Sequence, residues 1–252
     1  MIAVTPAQLP FDLPHSASLS RDDLIVSDAN RLAVAAIDSW PAWQHPVLLV
    51  VGPPGSGKSH LASAFAERAG AQFFSADNAL ASAWGHERPF VMVIDDLDRT
   101  TALDTSIFEL VNAARLGGGF VLATSRTAPS NMGLALPDLV SRLRAATLVE
   151  IGAPDDALLS GVLAKLFADR QIAVESRWLA FLARRMERSL EAAERLVAAI
   201  DHEALASKEK VSRPLLQRVL DRLGVARAQE DTSFASEGEG SNMRPGQSGG
   251  RN

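Results

Sequence analysis

The run Gly52-Pro53-Pro54-Gly55-Ser56-Gly57-Lys58-Ser59 limits the fold of this chain more than any other segment. It follows a short, continuously apolar stretch, Val47 to Val51, and precedes a helical pattern from His60 to Glu67. Strand, glycine loop and helix start, in that order, build a cradle for phosphate. The glycines permit a tight turn whose amides point at phosphate oxygens, and the helix adds its own free N–H groups. Lys58 brings a positive charge to the place where β- and γ-phosphates sit, and Ser59 brings a hydroxyl ligand for Mg2+. Gly52, Pro53, Pro54, Gly55, Ser56, Gly57, Lys58 and Ser59 are therefore the expected nucleotide contacts, with ATP or ADP as cofactor.

Such a site needs an acidic strand end beside the loop. Phe90-Val91-Met92-Val93-Ile94 is apolar enough to be covered on both faces and runs into Asp95-Asp96. Asp95 is placed to hold Mg2+ through its hydration shell, and Asp96 to polarise the attacking water. Many proteins of this kind carry glutamate at the second position, and aspartate is one methylene shorter. Slow intrinsic hydrolysis is the expectation. A further apolar run, Gly119 to Ala123, leads into Thr124-Ser125-Arg126. There Thr124 and Ser125 are candidates to orient water beside the γ-phosphate, with an ordinary turn as the alternative. Arg142 and Arg188 each stand in a helical pattern, where a solvated charge and a phosphate-reaching role are both open.

The pattern around these residues divides the chain. Residues 1–21 form an arm with Pro6, Pro10 and Pro14. From 22 to 152, apolar runs alternate with helical segments, the rhythm of an α/β P-loop core with a parallel sheet and RecA-like connectivity. Ala146 to Ile151 is its weaker edge strand. Residues 153–225 read as a small all-helical lid. Asp155 is placed to cap its first helix, a second shows Trp178, Leu179, Leu182 and Met186 on one side, and a third starts near Ser189 with a stripe of Ala193, Leu196, Val197 and Ile200. A fourth follows Ser212-Arg213-Pro214, with Ser212 as cap and the proline in the first turn. The Gly/Ser-rich stretch 226–252 reads as a disordered tail. With 25 Lys+Arg against 30 Asp+Glu, the net charge of −5 gives no general attraction to a nucleic-acid backbone, so contact with DNA is expected only through a partner. The chain has no cysteine, and hence no disulfide framework or thiolate metal site, which suits a reducing cytoplasm. No apolar run approaches the ~20 residues that span a bilayer, so no membrane association is expected.

Several segments, in order, resemble the AAA+ core of bacterial DnaA replication initiators. Asp23 to Ala33 is similar to the lead-in that packs around adenine in that family, which implies roles for Leu24, Ile25 and Asn30. Gly52 to Leu61, ending Gly-Lys-Ser-His-Leu, resembles its phosphate loop and adds His60. Phe108-Glu109-Leu110-Val111-Asn112 is similar to its helix after the acidic strand. Leu136-Pro137-Asp138-Leu139-Val140-Ser141-Arg142-Leu143 resembles the segment with the arginine finger, implying that Arg142 acts in trans on a neighbour's nucleotide. Arg188-Ser189-Leu190-Glu191-Ala192-Ala193 resembles the second-sensor helix, implying that Arg188 reaches the phosphates of its own nucleotide. Ala145-Ala146 stands where family members commonly carry Trp-Gly.

The initiators have an oligomerisation domain before this core and a DNA-reading domain after it, and neither is expected here. That architecture resembles the DnaA-related regulators of the Hda type, which act from the sliding clamp of DNA polymerase III to promote hydrolysis of initiator-bound ATP. Those regulators dock through a glutamine, a leucine and further apolar residues near the N-terminus. Gln8-Leu9-Pro10-Phe11-Asp12-Leu13 is similar, with Gln8 as polar anchor and Leu9, Phe11 and Leu13 for an apolar pocket. The implied partners are the β clamp and DnaA, with a homo-oligomer also open. A helicase-loader or adaptor ATPase and an initiator-like DNA-binding protein are the alternatives.

Overall fold

The computed structural model describes residues 21, 24–74, 89–100 and 104–224. The peptide with Gln8, Leu9, Phe11 and Leu13 and the stretch 226–252 lie outside the described residues. In chain order the elements are α1 (Arg31–Asp38), β1 (Val47–Val51), α2 (Lys58–Ala69), β2 (Gln72–Phe73), β3 (Phe90–Ile94), a 3-10 turn (Leu97–Arg99), α3 (Asp104–Ala113), β4 (Gly119–Ser125), α4 (Pro137–Ala145) and β5 (Thr147–Glu150). Four further helices follow: α5 (Asp156–Asp169), α6 (Ser176–Ala183), α7 (Leu190–Ser207) and α8 (Arg213–Arg222).

The five strands are parallel, in the order β2-β3-β4-β1-β5. Successive side chains of a strand point to opposite faces, so a central strand must be apolar at every position if helices cover both sides. β1 meets that demand. Val47 and Leu49 join Ile107 and Leu110 of α3 and Leu139 and Leu143 of α4 in one core, while Leu48 and Val50 join Val34 and Ile37 of α1 and Leu61 and Phe65 of α2 in the other. Each fully buried Leu or Phe contributes about 1.5–3 kcal/mol. β5 is an edge strand with Thr147, Leu148 and Glu150 exposed, as the weaker pattern predicts. The other edge, β2, is two residues long and was not expected from the pattern.

Helices α5 to α8 surround a third core that includes Leu163, Phe167, Leu182, Leu196, Ile200 and Leu216. The expected stripe on α7 is there: Ala193, Val197 and Ile200 are fully buried, and Leu196 nearly so. Asp155 caps α5 by accepting the Leu158 N–H at 2.7 Å, and Ser189 caps α7 by accepting the Ala192 N–H at 3.3 Å. Ser212 occupies the N-cap of α8 but its side chain makes no capping hydrogen bond. That helix begins instead on Pro214 in its first turn, where the missing N–H costs nothing and φ is already helical. Arg188 lies two residues before α7 rather than within it.

Candidate nucleotide site at the carboxyl edge of the sheet

β1, β3 and β4 run parallel, so their carboxyl ends converge on one edge, and the loop after β1 leaves from it. The Gly52 N–H donates to Ser125 O at 3.1 Å, which ties the start of the loop to the end of β4. Gly55 and Gly57 take φ of +69° and +94°, a left-handed backbone that glycine adopts without penalty. Lys58 opens α2 and is only 5% exposed. Its Nζ donates to Pro53 O at 2.8 Å and approaches Ser56 Oγ at 3.5 Å. Burial pulls its pKa down; Asp96 opposes that, Arg126 adds to it, and Asp98 and Asp95 oppose it further. Ser59, next on the helix, is exposed.

The acidic pair at the end of β3 faces the end of β4, because Ile94 is in register with Ala123. Thr124 Oγ1 donates to Asp95 Oδ1 at 2.5 Å and accepts the Asp96 N–H at 2.9 Å. Asp96 adopts φ 49°, ψ 51°, a left-handed conformation that aspartate tolerates better than most residues. Its Oδ2 lies 3.7 Å from an Arg126 nitrogen and 3.8 Å from one of Arg99. Ser125 Oγ hydrogen-bonds Asp98 Oδ1 at 3.1 Å and Thr127 O at 2.8 Å, and also accepts the Thr127 N–H. Asp98 Oδ1 accepts the Arg126 N–H at 3.0 Å as well. The single proton of each hydroxyl, on Thr124 and on Ser125, is thus engaged within the protein. Asp98, Arg99 and Arg126 belong to this cluster and were not singled out from the sequence. The signal for Asp98 and Arg99 was the charge run Asp95 to Arg99, and for Arg126 its place directly after β4, and the meaning of both depends on β3 and β4 being neighbours.

A cavity of about 60 Å³ adjoins the loop. Leu24, Ile25 and Asn30, expected around adenine, line it together with His60, expected with the phosphate loop, and with Ser56, Gly57, Leu158, Leu190 and Glu194. Asn30 is almost fully buried and works as a clamp on the lead-in: its Nδ2 donates to Ile25 O and its Oδ1 accepts the Ser27 N–H, both at 2.8 Å. Helices α5 and α7 border the same cavity. The Leu190 N–H, at the first residue of α7, donates to Gly55 O at 2.8 Å. A Cβ on Gly55 would stand 2.2 Å from Ser189 Oγ.

Two arginines lie apart from these groups. Arg142, on α4, holds its guanidinium over the Phe108 ring at 5.2 Å from the centroid and does not line the cavity. Arg188 pairs with Asp156 at 2.7 Å and donates to Pro154 O at 3.1 Å, with its side chain 53% exposed.

Parallel strands in this order, a buried lysine in a glycine loop after β1 and paired aspartates at the end of β3 define a P-loop nucleotide-binding protein. The sequence model of the AAA domain matches residues 47–199, more than half of the chain, and the protein belongs to that family. The fold is similar to domain III of the replication initiation protein DnaA from Thermotoga maritima, with a TM-score of 0.68 at 16% identity over 83% of this chain and 98% of that one. It is also similar to the RuvB Holliday junction branch migration motor of Thermotoga maritima, with a TM-score of 0.66, 18% identity and 83% and 73% of the two chains covered. A DNA replication initiation factor aligns with a TM-score of 0.59 at 20% identity, over 75% of this chain and 67% of its own. At such identities the likeness is one of fold. No curated protein matches the sequence. No helix among the described residues is long and apolar enough to cross a membrane.

Proposed function

We propose that this chain is an adenine-nucleotide-binding regulator of replication initiation that works from the sliding clamp and inactivates DnaA by promoting hydrolysis of its bound ATP. The observation that carries the nucleotide half is the convergence of Lys58, Ser59, Asp95 and Asp96 on one sheet edge, beside a cavity lined by Leu24, Ile25 and His60. The core over 22–152 supplies the phosphate site and the lid over 153–225 covers the base. An exposed hydroxyl and a strand-end carboxylate are the hard oxygen ligands that Mg2+ takes when phosphates complete its shell. Ser59 and Asp95 would hold the ion, which when bound neutralises charge on the β- and γ-oxygens.

The regulatory half rests on the resemblance to DnaA-related regulators and is supported by the likeness of fold to DnaA domain III. Arg142 stands on a helix that contributes nothing to the chain's own cavity, which suits a guanidinium delivered to a neighbour's nucleotide. A charge placed at a transferring phosphoryl group accelerates its transfer by about 10³–10⁵ in other nucleotide switches. The peptide Gln8 to Leu13 would tether the protein to the β clamp and so raise its local concentration near DnaA. DNA contact is then indirect, and the working place is the cytoplasm, at the replication machinery.

The deciding measurement is conversion of DnaA-bound ATP to ADP over time with DNA-loaded clamp. The parent protein should accelerate it. Arg142→Ala should keep clamp binding and lose acceleration, and alanine at Gln8, Leu9 and Phe11 should lose clamp binding while still binding nucleotide. Full stimulation by Arg142→Ala would remove the trans role. No stimulation by the parent under any condition would point to a loader or adaptor ATPase.

A further inference from the structure

We propose that Arg126 is the group in this site that distinguishes a nucleoside triphosphate from a diphosphate, its guanidinium leaving Asp96 for the terminal phosphate when one is present. The inference rests on the reading that Gly52 to Ser59 binds nucleotide phosphates, and it names the discriminating residue within that site.

A triphosphate detector must lie at the carboxyl edge of the sheet and have donors to spare. The two hydroxyls at the end of β4 lack the second property. Thr124 spends its proton on Asp95, and Ser125 spends its own on Asp98 and Thr127. Arg126, the next residue, is differently placed. Its backbone is fixed, because Asp98 accepts both its N–H and the Ser125 hydroxyl. Its guanidinium is not tightly committed: the 3.7 Å approach to Asp96 is an ion pair longer than a hydrogen bond, and the side chain is about one-third exposed.

Departure from Asp96 is also tolerable. Arg99 stands 3.8 Å from the same carboxylate oxygen and leaves Asp96 with a counter-charge. Arg126 also stands next to the phosphate loop, since Ser125 is in register with Val51 and its carbonyl accepts the Gly52 N–H at 3.1 Å. A planar guanidinium binds phosphate oxygens through two parallel N–H bonds, a better match than the long contact it now makes. A diphosphate offers no terminal group at that point, so Arg126 stays on Asp96. With a triphosphate Arg126 moves, and Asp96 is released to face water only when there is a bond to hydrolyse.

The test is calorimetric titration of the full chain, with Mg2+, by ADP and by a non-hydrolysable ATP analogue, for the parent, Arg126→Ala, Arg126→Lys and Lys58→Ala. Arg126→Ala should lose roughly 10- to 100-fold in affinity for the ATP analogue and less than about 2-fold for ADP, as expected for one charged hydrogen-bonding group. Arg126→Lys, which keeps the charge without the fork, should fall between the two and guards against misfolding of the alanine variant. Equal losses for both nucleotides in the Arg126 variants, or no loss for either, would overturn the inference. In that case the parent still binds and Lys58→Ala still weakens both nucleotides alike. A parent that binds neither nucleotide would instead overturn the nucleotide reading beneath it.

Discussion

The sheet edge and the helical lid hold their functional groups in different ways. At the sheet edge Thr124 is fully buried and joins Asp95 to the backbone of Asp96, while Asp98 joins Ser125 to the backbone of Arg126. In the lid, Arg188 is held mainly by Asp156, and both side chains are 53% exposed. Burial makes hydrogen bonds strong and their loss costly, whereas water and screening leave an exposed pair almost free to separate. The backbone and hydroxyls of the sheet edge are therefore held in place, whereas the exposed charged group of the other region can separate from its partner at little cost.

The largest effect should come from the sheet edge. On the proposed nucleotide reading, Lys58→Ala removes a buried charge from the phosphate site, and affinity for both ATP and ADP should drop by roughly 100-fold, as measured by calorimetry. Unchanged affinity for both would break the comparison at its stronger side. The seam between the regions comes next. Gly55→Ala would put a Cβ 2.2 Å from Ser189 Oγ at a residue with φ +69°, so about 2–4 kcal/mol of stability should be lost in urea unfolding. A neutral result would mean that α7 shifts readily against the loop.

Within the lid, Asp155→Ala should cost about 1 kcal/mol, read as a lower Tm, by removing the cap of α5. The Leu158 N–H is the chief cause that holds the Asp155 carboxyl below its ordinary value, with smaller help from Ser27 and the Ala29 and Ala157 N–H groups against the pull of burial. A carboxyl depressed in the folded state contributes stability above its unfolded pKa and loses it as pH falls through the folded one. The Tm gap between parent and variant should thus be full at neutral pH and close below about pH 3.9; a gap constant down to strong acid would contradict the capping role. The smallest effect should be that of Arg188→Ala on stability, below about 0.5 kcal/mol, because an exposed ion pair contributes little. A Tm drop of several degrees would show that Arg188 is a structural tie and would erase the contrast.

The features that could be read from the sequence are the local ones. The loop Gly52 to Ser59, the apolar run into Asp95-Asp96, the cap at Asp155 and the stripe on α7 are each encoded within a few residues of one another. The polar couplings were not legible, because Asp95 and Thr124, or Asp98 and Arg126, meet only once β3 and β4 are neighbours. Asn30 was expected at the nucleotide; it lines the cavity, but its own bonds to Ile25 and Ser27 could be found only from the turn they close. Ser212 failed as a cap although it has the right chemistry, since sequence places the hydroxyl and not its rotamer.

The hydrogen bond from the Leu190 N–H to Gly55 O ties the phosphate loop to the first turn of a lid helix. A cavity of about 60 Å³ beneath that contact is far smaller than the ~300 Å³ or more of ordinary ligand sites. If the proposed nucleotide places its base in this cavity, entry requires α7 to move away from the loop, and release would then depend on that movement as well as on the hold on the phosphates. Stopped-flow release of a fluorescent ADP should accelerate in Ser189→Ala, which removes the cap of α7 and leaves the phosphate loop's own sequence intact; release no faster than in the parent would place the barrier elsewhere. A protein gated in this way would keep a record, for the length of one opening interval, of the nucleotide on which it last closed.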